Sequence, residues 1–212
     1  MCQLFRRRSP RVRNRGASTL PVVAEVLLFH HAQGQTDGFL AFADELRAAG
    51  HVVHAPDLYD GKTFADINDG VGYAKEVGFD VIIQRGAAVA EDLPAELVYG
   101  GFSLGVLPAQ MLTQTRPGAR GALLFHGCVP PSEFETPWPD GVPVQIHMME
   151  EDEWADEDLV VARELVEEND NAELFLYPGD GHLFADSSLA DFDEEAAALL
   201  KRRTLAFLES AG

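Results

Sequence analysis

The sequence predicts an α/β protein built on a mostly parallel sheet of about six strands, with helices on both faces. Three observations predict it. From Val22 onward, short apolar runs alternate with amphipathic stretches of helical period, the pattern of repeated strand–helix units whose crossovers keep strands parallel. A Gly-x-Ser-x-Gly pentapeptide, Gly101-Phe102-Ser103-Leu104-Gly105, lies between one such strand and one such helix. An acidic run and a Gly-His pair each follow a later strand, so that residues able to act together collect at one edge of the sheet.

Each element has its own signal. Glu25 to Phe29 is an apolar run suited to a buried strand. Asp37 to Ala49 sets Phe39, Leu40, Phe42, Ala43 and Leu46 on one helical face, and Gly50 ends that helix. Val52 to Ala55 is a short strand stopped by Pro56. Residues 57–95 are expected to hold one or two helices, with Phe79 to Ala90 the clearer one. Glu96 to Tyr99 reads as the strand before the pentapeptide and Leu104 to Thr115 as the helix after it. Gly121 to Phe125, Val142 to His147 and Glu173 to Tyr177 read as further strands, with a helix from Asp158 to Glu168 between the last two. A last helix is expected from about Phe192 to Glu209, opened by a capping-box-like Asp191 and Glu194, with Phe192, Ala196, Leu199, Arg203 and Phe207 sharing a face. Gly70-Val71-Gly72 follows no strand, so no phosphate loop is read there.

Composition narrows the partners. The 212 residues are 46% hydrophobic, enough for one core spanning residues 22–212. Net charge is −19, but residues 1–21 hold six arginines and no acid, leaving 35 acids against ten basic side chains and a net −25 in the remainder. Such a body repels nucleic acid and anionic membranes and disfavours strongly anionic substrates. Residues 1–21 show no apolar period and read as a disordered basic extension. An export signal does not fit, because Glu25 interrupts the only following apolar run, Val22 to Phe29. No uncharged run reaches the roughly 18 residues of a membrane helix. With only Cys2 and Cys128, no disulfide framework is expected, which suits a reducing, cytoplasmic setting. The chain carries no sign of its oligomeric state.

The pentapeptide has the context of a catalytic turn. A serine on a sharp strand-to-helix bend is presented at the sheet edge, and the N–H groups of the following helix point to where an oxyanion would form. The flanking glycines are expected to tolerate the strained backbone there. Serine needs a base to take its proton, and the base needs an acid to fix its tautomer. Ser103, then the acids at 150–153, then His182 supply these in chain order. Asp152 is the preferred acid, with Glu151 and Asp156 as alternatives; Asp180, two residues from His182, reads as a turn residue. His30 and His31 are adjacent, so on a strand they point to opposite faces and cannot chelate together; no metal or other cofactor is expected. His126 and Cys128 should pack near the site, whereas His51, His54 and His147 read as structural.

The sequence resembles the dienelactone hydrolase family of α/β-hydrolases from Glu25 to the end. The resemblance is carried by Leu28-Phe29-His30-His31-Ala32-Gln33-Gly34, Ala55-Pro56-Asp57-Leu58-Tyr59, the pentapeptide, Val144-Gln145-Ile146-His147 leading to Glu151-Asp152, and Tyr177-Pro178-Gly179-Asp180-Gly181-His182-Leu183-Phe184-Ala185. It implies a compact α/β-hydrolase fold without a lid domain. It also implies Ser103 as nucleophile, Asp152 as acid, His182 as base, and oxyanion donors at the backbone N–H groups of Ala32 and Leu104. His31, Phe102, His126, Phe184 and Asp186 are expected around the pocket. Family members that cleave dienelactone carry cysteine at the position of Ser103, glutamate at that of His31, and a carboxylate-gripping arginine at that of Asp186. The implied activity is hydrolysis of small carboxylic esters, lactones or thioesters through an acyl-enzyme. Acyl transfer by the same residues, or a non-catalytic binding module on the same fold, are the alternatives.

Overall fold

The computed structural model describes residues 22–212; the basic extension expected at residues 1–21 lies outside them. Along the chain come β1 (Glu25–Phe29), α1 (Asp37–Ala48), β2 (Val52–His54), α2 (Ile67–Val77), α3 (Phe79–Glu91) and β3 (Val98–Phe102). There follow α4 (Val106–Thr115), β4 (Gly121–Phe125), β5 (Val144–Met149), α5 (Asp156–Glu168), β6 (Ala172–Tyr177) and α6 (Glu194–Ala211), with short 3₁₀ turns at Ser103–Gly105 and Pro131–Phe134. The six strands form one sheet in the order β2-β1-β3-β4-β5-β6, with every neighbouring pair parallel.

Alternation along β1 shows why the strands read as continuous apolar runs. Val26 and Leu28 enter a core shared with Phe39, Phe42 and Leu46 of α1 and Leu200, Phe207 and Leu208 of α6. Leu27 and Phe29 point the other way, to Ala74 of α2, Ile82 of α3, and Ala109 and Leu112 of α4. Leu124, Ile146 and Met148 continue that second face against Ala162 and Leu165 of α5. Both faces of the sheet are covered, so both sets of side chains must be apolar. Among the described residues no lid is inserted, and no helix is long and apolar enough to cross a membrane.

Several boundaries differ from the sequence expectation. β3 runs through Gly101-Phe102, because its register with β4 continues to Phe102 opposite Phe125. β5 extends to Met149 because β6 keeps pairing with it as far as Tyr177. Residues 57–95 hold two helices, and Asp66 caps α2 by accepting the Asn68 N–H. α6 begins later than Phe192: Asp193 is its cap, accepting the Ala196 N–H at 2.8 Å, while Asp191 accepts the Leu183 N–H at 3.3 Å. The buried face of α6 is Ala196, Leu200, Thr204, Phe207, Leu208 and Ala211; Phe192 precedes the helix and is 38% exposed. Arg203 lays its guanidinium 4.2 Å from the centre of the Phe175 ring, a cationic cover for β6.

The strand order reverses at β1, which lies between β2 and β3. Open parallel sheets leave a crevice outside the strand carboxyl ends at such a point. The loops after β1, β3, β4, β5 and β6 all end on that edge.

Candidate active site

The turn after β3 is tight for a reason visible in its glycines. A Cβ on Gly101 would stand 2.0 Å from the Gly105 carbonyl oxygen, and one on Gly105 would stand 2.4 Å from that of Phe29. Neither distance is physically possible, so the start of α4 can close on β3 and β1 only with glycine at both places. The strained backbone falls on the serine itself: Ser103 has φ +48°, whereas Gly105 has φ −65°. The glycines therefore supply space, and the expectation that they absorb the strain is corrected. A left-handed serine at a strand-to-helix turn is the geometry of a nucleophile elbow.

The three residues read from chain order meet at the sheet edge. Ser103 Oγ donates to His182 Nε2 at 2.7 Å. His182 Nδ1 donates to Asp152 Oδ2 at 2.7 Å. Asp152 Oδ1 accepts the Trp154 N–H at 3.0 Å, so both of its oxygens are engaged. Asp152 and His182 are 3% and 5% exposed, which keeps water from competing for these bonds. The alternatives Glu151 and Asp156 are exposed, and so is Asp180. The N–H of Ala32 has no acceptor among the described residues, and Leu104 lies in the 3₁₀ turn that follows the serine.

Of the five residues expected around the pocket, only His126 lines the cleft at Ser103. Phe102 and Phe184 are fully buried in the core, where Phe102 packs on Phe39, Phe42 and Phe125. His31 and Asp186, also fully buried, satisfy each other: His31 Nε2 donates to Asp186 Oδ2 at 2.8 Å, and His31 Nδ1 accepts the Gln33 N–H. Thr36 Oγ1 donates to the same carboxylate, and Ser188 donates to its other oxygen. Burial alone would raise the pKa of Asp186, but the hydrogen bonds from His31, Ser188 and Thr36 outweigh it and hold the carboxyl at about 2. The expectation that Asp186 faces substrate is thus overturned; it pins the loop after β6 to the loop after β1.

Burial favours the neutral form of three further histidines, His30, His126 and His147. His30 Nδ1 donates to the His31 carbonyl and Nε2 accepts the Leu58 N–H. Burial pulls its pKa down to about 4. His147, whose Nδ1 bonds the Tyr177 hydroxyl, is drawn to about 3 by burial and by Arg203. His126 has φ +64°, is 1% exposed and packs edge-on to Phe184, with no partner for either ring nitrogen among the described residues. Burial, followed by the nearby His182, drives its pKa well down. Burial and then Asp158 push the Cys128 thiol up to about 12, so it is no nucleophile.

The cleft beside Ser103 has a volume of about 170 Å³ and is lined by Ile67, Val71, Leu104, Val106, Leu107, His126, Val129, Trp154, Asp158 and His182. Asp158 and Trp154 belong to the acidic stretch from Glu150 to Asp158, which in the sequence reads mostly as a solvated loop. The spacing of Asp158, Ala162 and Leu165, which places them on one face of α5, was the available signal. Ile67 and Val71, one turn apart on α2, fall in the stretch where the sequence is least periodic.

A parallel sheet of this order, with a strained serine elbow at its switch point and an acid and a histidine after its last two strands, defines an α/β-hydrolase. The chain belongs to the dienelactone hydrolase family, whose model matches residues 15–212, and is by that membership a hydrolase of ester bonds. Solved structures share the fold at low identity. The dienelactone hydrolase from Anabaena variabilis ATCC 29413 is 15% identical, with a TM-score of 0.66 over 89% of this chain and 87% of that one. A dienelactone hydrolase-like promiscuous phosphotriesterase from metagenomic libraries is 17% identical, with a TM-score of 0.70 over 88% and 86%. Esterase PE8 is 18% identical, with a TM-score of 0.61 over 89% and 93%. No curated protein matches the chain.

Proposed function

We propose that this protein is a serine hydrolase of small carboxylic esters, lactones or thioesters, with Ser103 as nucleophile, His182 as base and Asp152 as the orienting acid. One observation carries the reading: an unbroken chain of hydrogen bonds, each 2.7 Å, from Ser103 Oγ through both nitrogens of His182 to Asp152. Ser103 Oγ attacks the acyl carbon while His182 Nε2 takes its proton. Asp152 holds the ring with Nδ1 protonated and stabilises the imidazolium. The negative oxygen of the tetrahedral intermediate accepts from the N–H groups of Leu104 and Ala32. Its collapse breaks the bond to the leaving oxygen or sulfur, which receives the proton from His182. Water then attacks the acyl-serine, giving its proton to His182, and the acid leaves as Ser103 regains its proton. Trp154, which lines both the cleft and the depression beside His182, is 50% exposed, an open border that supports hydrolysis over transfer to another acceptor.

The acid assignment has a direct test. Asp152→Asn should lower kcat on a short p-nitrophenyl ester by about 10³- to 10⁴-fold, because the amide favours the wrong tautomer of His182. Glu151→Gln and Asp156→Asn should each stay within about threefold of wild type, since exposed carboxylates screened by water hold no ring in place. A large loss in either of these, with Asp152→Asn active, reassigns the acid.

A further inference from the structure

One carboxylate faces Ser103 without a part in the bond-making steps. Asp158 stands in the first turn of α5, on the same face as the buried Ala162 and Leu165. Its Oδ2 accepts the Cys128 N–H at 3.0 Å, which fixes it on the wall of the cleft. Gly127 lies close to both groups: a Cβ built there would lie 3.1 Å from Asp158 Oδ2 and 3.8 Å from the Cα of Ser103. The carboxylate and the nucleophile therefore flank a residue with no side chain between them. No lysine or arginine among the described residues lines this cleft or the depression that adjoins it at His182. The depression adds Glu151, Glu153, Asp180 and Asp191, and Trp154 borders both spaces.

We propose that Asp158 is a specificity-determining residue: its carboxylate selects against esters with an anionic group near the scissile carbonyl and favours those with a cationic one. The substrate class then narrows to neutral and cationic esters. This rests on the serine hydrolase reading above. The physical basis is Coulombic. A fixed charge in a part-buried cleft acts through a lower dielectric than water, and the cleft offers no opposing cation to offset it. Burial raises the Asp158 carboxyl above its ordinary value, with Asp152 and Glu157 adding to the rise and the Cys128 N–H and His182 opposing it. The Trp154 ring, 6.0 Å from that of His182, adds a face on which an ammonium group can rest.

The test uses three p-nitrophenyl esters of matched shape whose charge does not titrate: 5,5-dimethylhexanoyl, 4-(trimethylammonio)butanoyl and 4-sulfobutanoyl. For the wild type, kcat/KM for the ammonium ester should exceed that for the sulfonate by about tenfold or more, with the neutral ester between. Asp158→Asn keeps an oxygen to accept the Cys128 N–H, so the fold should hold. It should bring the ammonium-to-sulfonate ratio down by about tenfold, each ratio being taken within one variant so that a change in overall turnover cancels. The ratio should also depend on pH. The groups facing Asp158 are Glu157 on its own helix, Asp152 and His182 from the loops after β5 and β6, and Ser103, His126 and Cys128 from those after β3 and β4. The reacting form always has neutral His182, so the titration of that base cancels in a ratio of two esters. Because Asp158 repels only as the carboxylate, the ratio should fall as pH drops through its titration in the wild type and change less in Asp158→Asn. A wild-type ratio near one, or an equal ratio in Asp158→Asn, overturns the proposal while the neutral ester is still turned over. No turnover of the neutral ester by a folded wild type overturns the serine hydrolase reading, and this inference with it.

Discussion

Ser103 is held in a backbone conformation that serine does not choose. Its φ of +48° places a side chain where only glycine is comfortable, at a cost of about 1 kcal/mol. Ser103→Gly should therefore raise the stability of the fold by up to about 1 kcal/mol in urea denaturation while removing ester turnover. A less stable variant would mean that the hydroxyl's bond to His182 outweighs the backbone strain. The same residue shows what can be read ahead of a structure. Ser103, Asp152 and His182 were legible because each follows a strand and chain order is one-dimensional. Why Gly101 and Gly105 are needed was not legible, since the contacts that forbid a Cβ come from Gly105 and from Phe29 of another strand. His31 and Asp186 were misread for a similar reason. They lie 155 residues apart, and only folding makes them partners rather than two lining residues. An arginine at 186 would put a long cation into a fully buried site already filled by three hydrogen-bonding side chains, so Asp186→Arg is a disruption of the fold rather than a change of substrate.

At the scale of elements, periodicity located the helices, but capping chemistry set where they begin. In α6 three acids compete within four residues: Asp191, Asp193 and Glu194. The capping-box spacing pointed to Asp191, yet Asp193 accepts the Ala196 N–H, and the buried face turns to Leu200 and Thr204 accordingly. Asp193→Ala should cost about 1 kcal/mol of stability. Asp191→Ala leaves that cap intact and loses instead a bond to the Leu183 N–H, next to His182. The two variants should separate, one by urea midpoint and the other by turnover. A midpoint unmoved by Asp193→Ala would show that the helix start is fixed by packing alone. α5 carries the complementary lesson. The sequence starts this helix only at Asp158 and reads the acids before it as a solvated loop; in the structure Asp156, Glu157 and Asp158 form its first turn, where they suit the positive end of the helix dipole, while the inward position of Asp158 depends on where Ala162 and Leu165 find the sheet.

For the whole molecule, buried neutral histidines make the fold sensitive to acid. His30 and His147 titrate at about 4 and about 3 in the native state, and His126 well below its ordinary value, all driven first by burial. In the unfolded chain each takes a proton near pH 6.5. Between that pH and the native values the unfolded state binds more protons, so stability falls as pH falls. Each histidine contributes on the order of 1 kcal/mol per pH unit in that window, and the three together a few kcal/mol per unit. That is most of a typical domain's net stability within two units. Relief of the repulsion among the 35 acids comes only below about pH 5. Asp186 adds a second loss between about pH 4 and pH 2, because its native carboxyl is held at about 2. The urea midpoint should thus drop steeply from pH 7 to pH 5. A midpoint flat over that range would mean that these rings are not buried as neutral bases.

The central claim is that Ser103 is the nucleophile activated by His182. The most direct measurement is active-site labelling with a fluorophosphonate, followed by peptide mass spectrometry. The account predicts one phosphonylated residue, Ser103, labelled rapidly in the native protein and far more slowly in a folded His182→Ala variant, because the serine then has no base. Labelling at another residue, or labelling of Ser103 at an undiminished rate without His182, would contradict it.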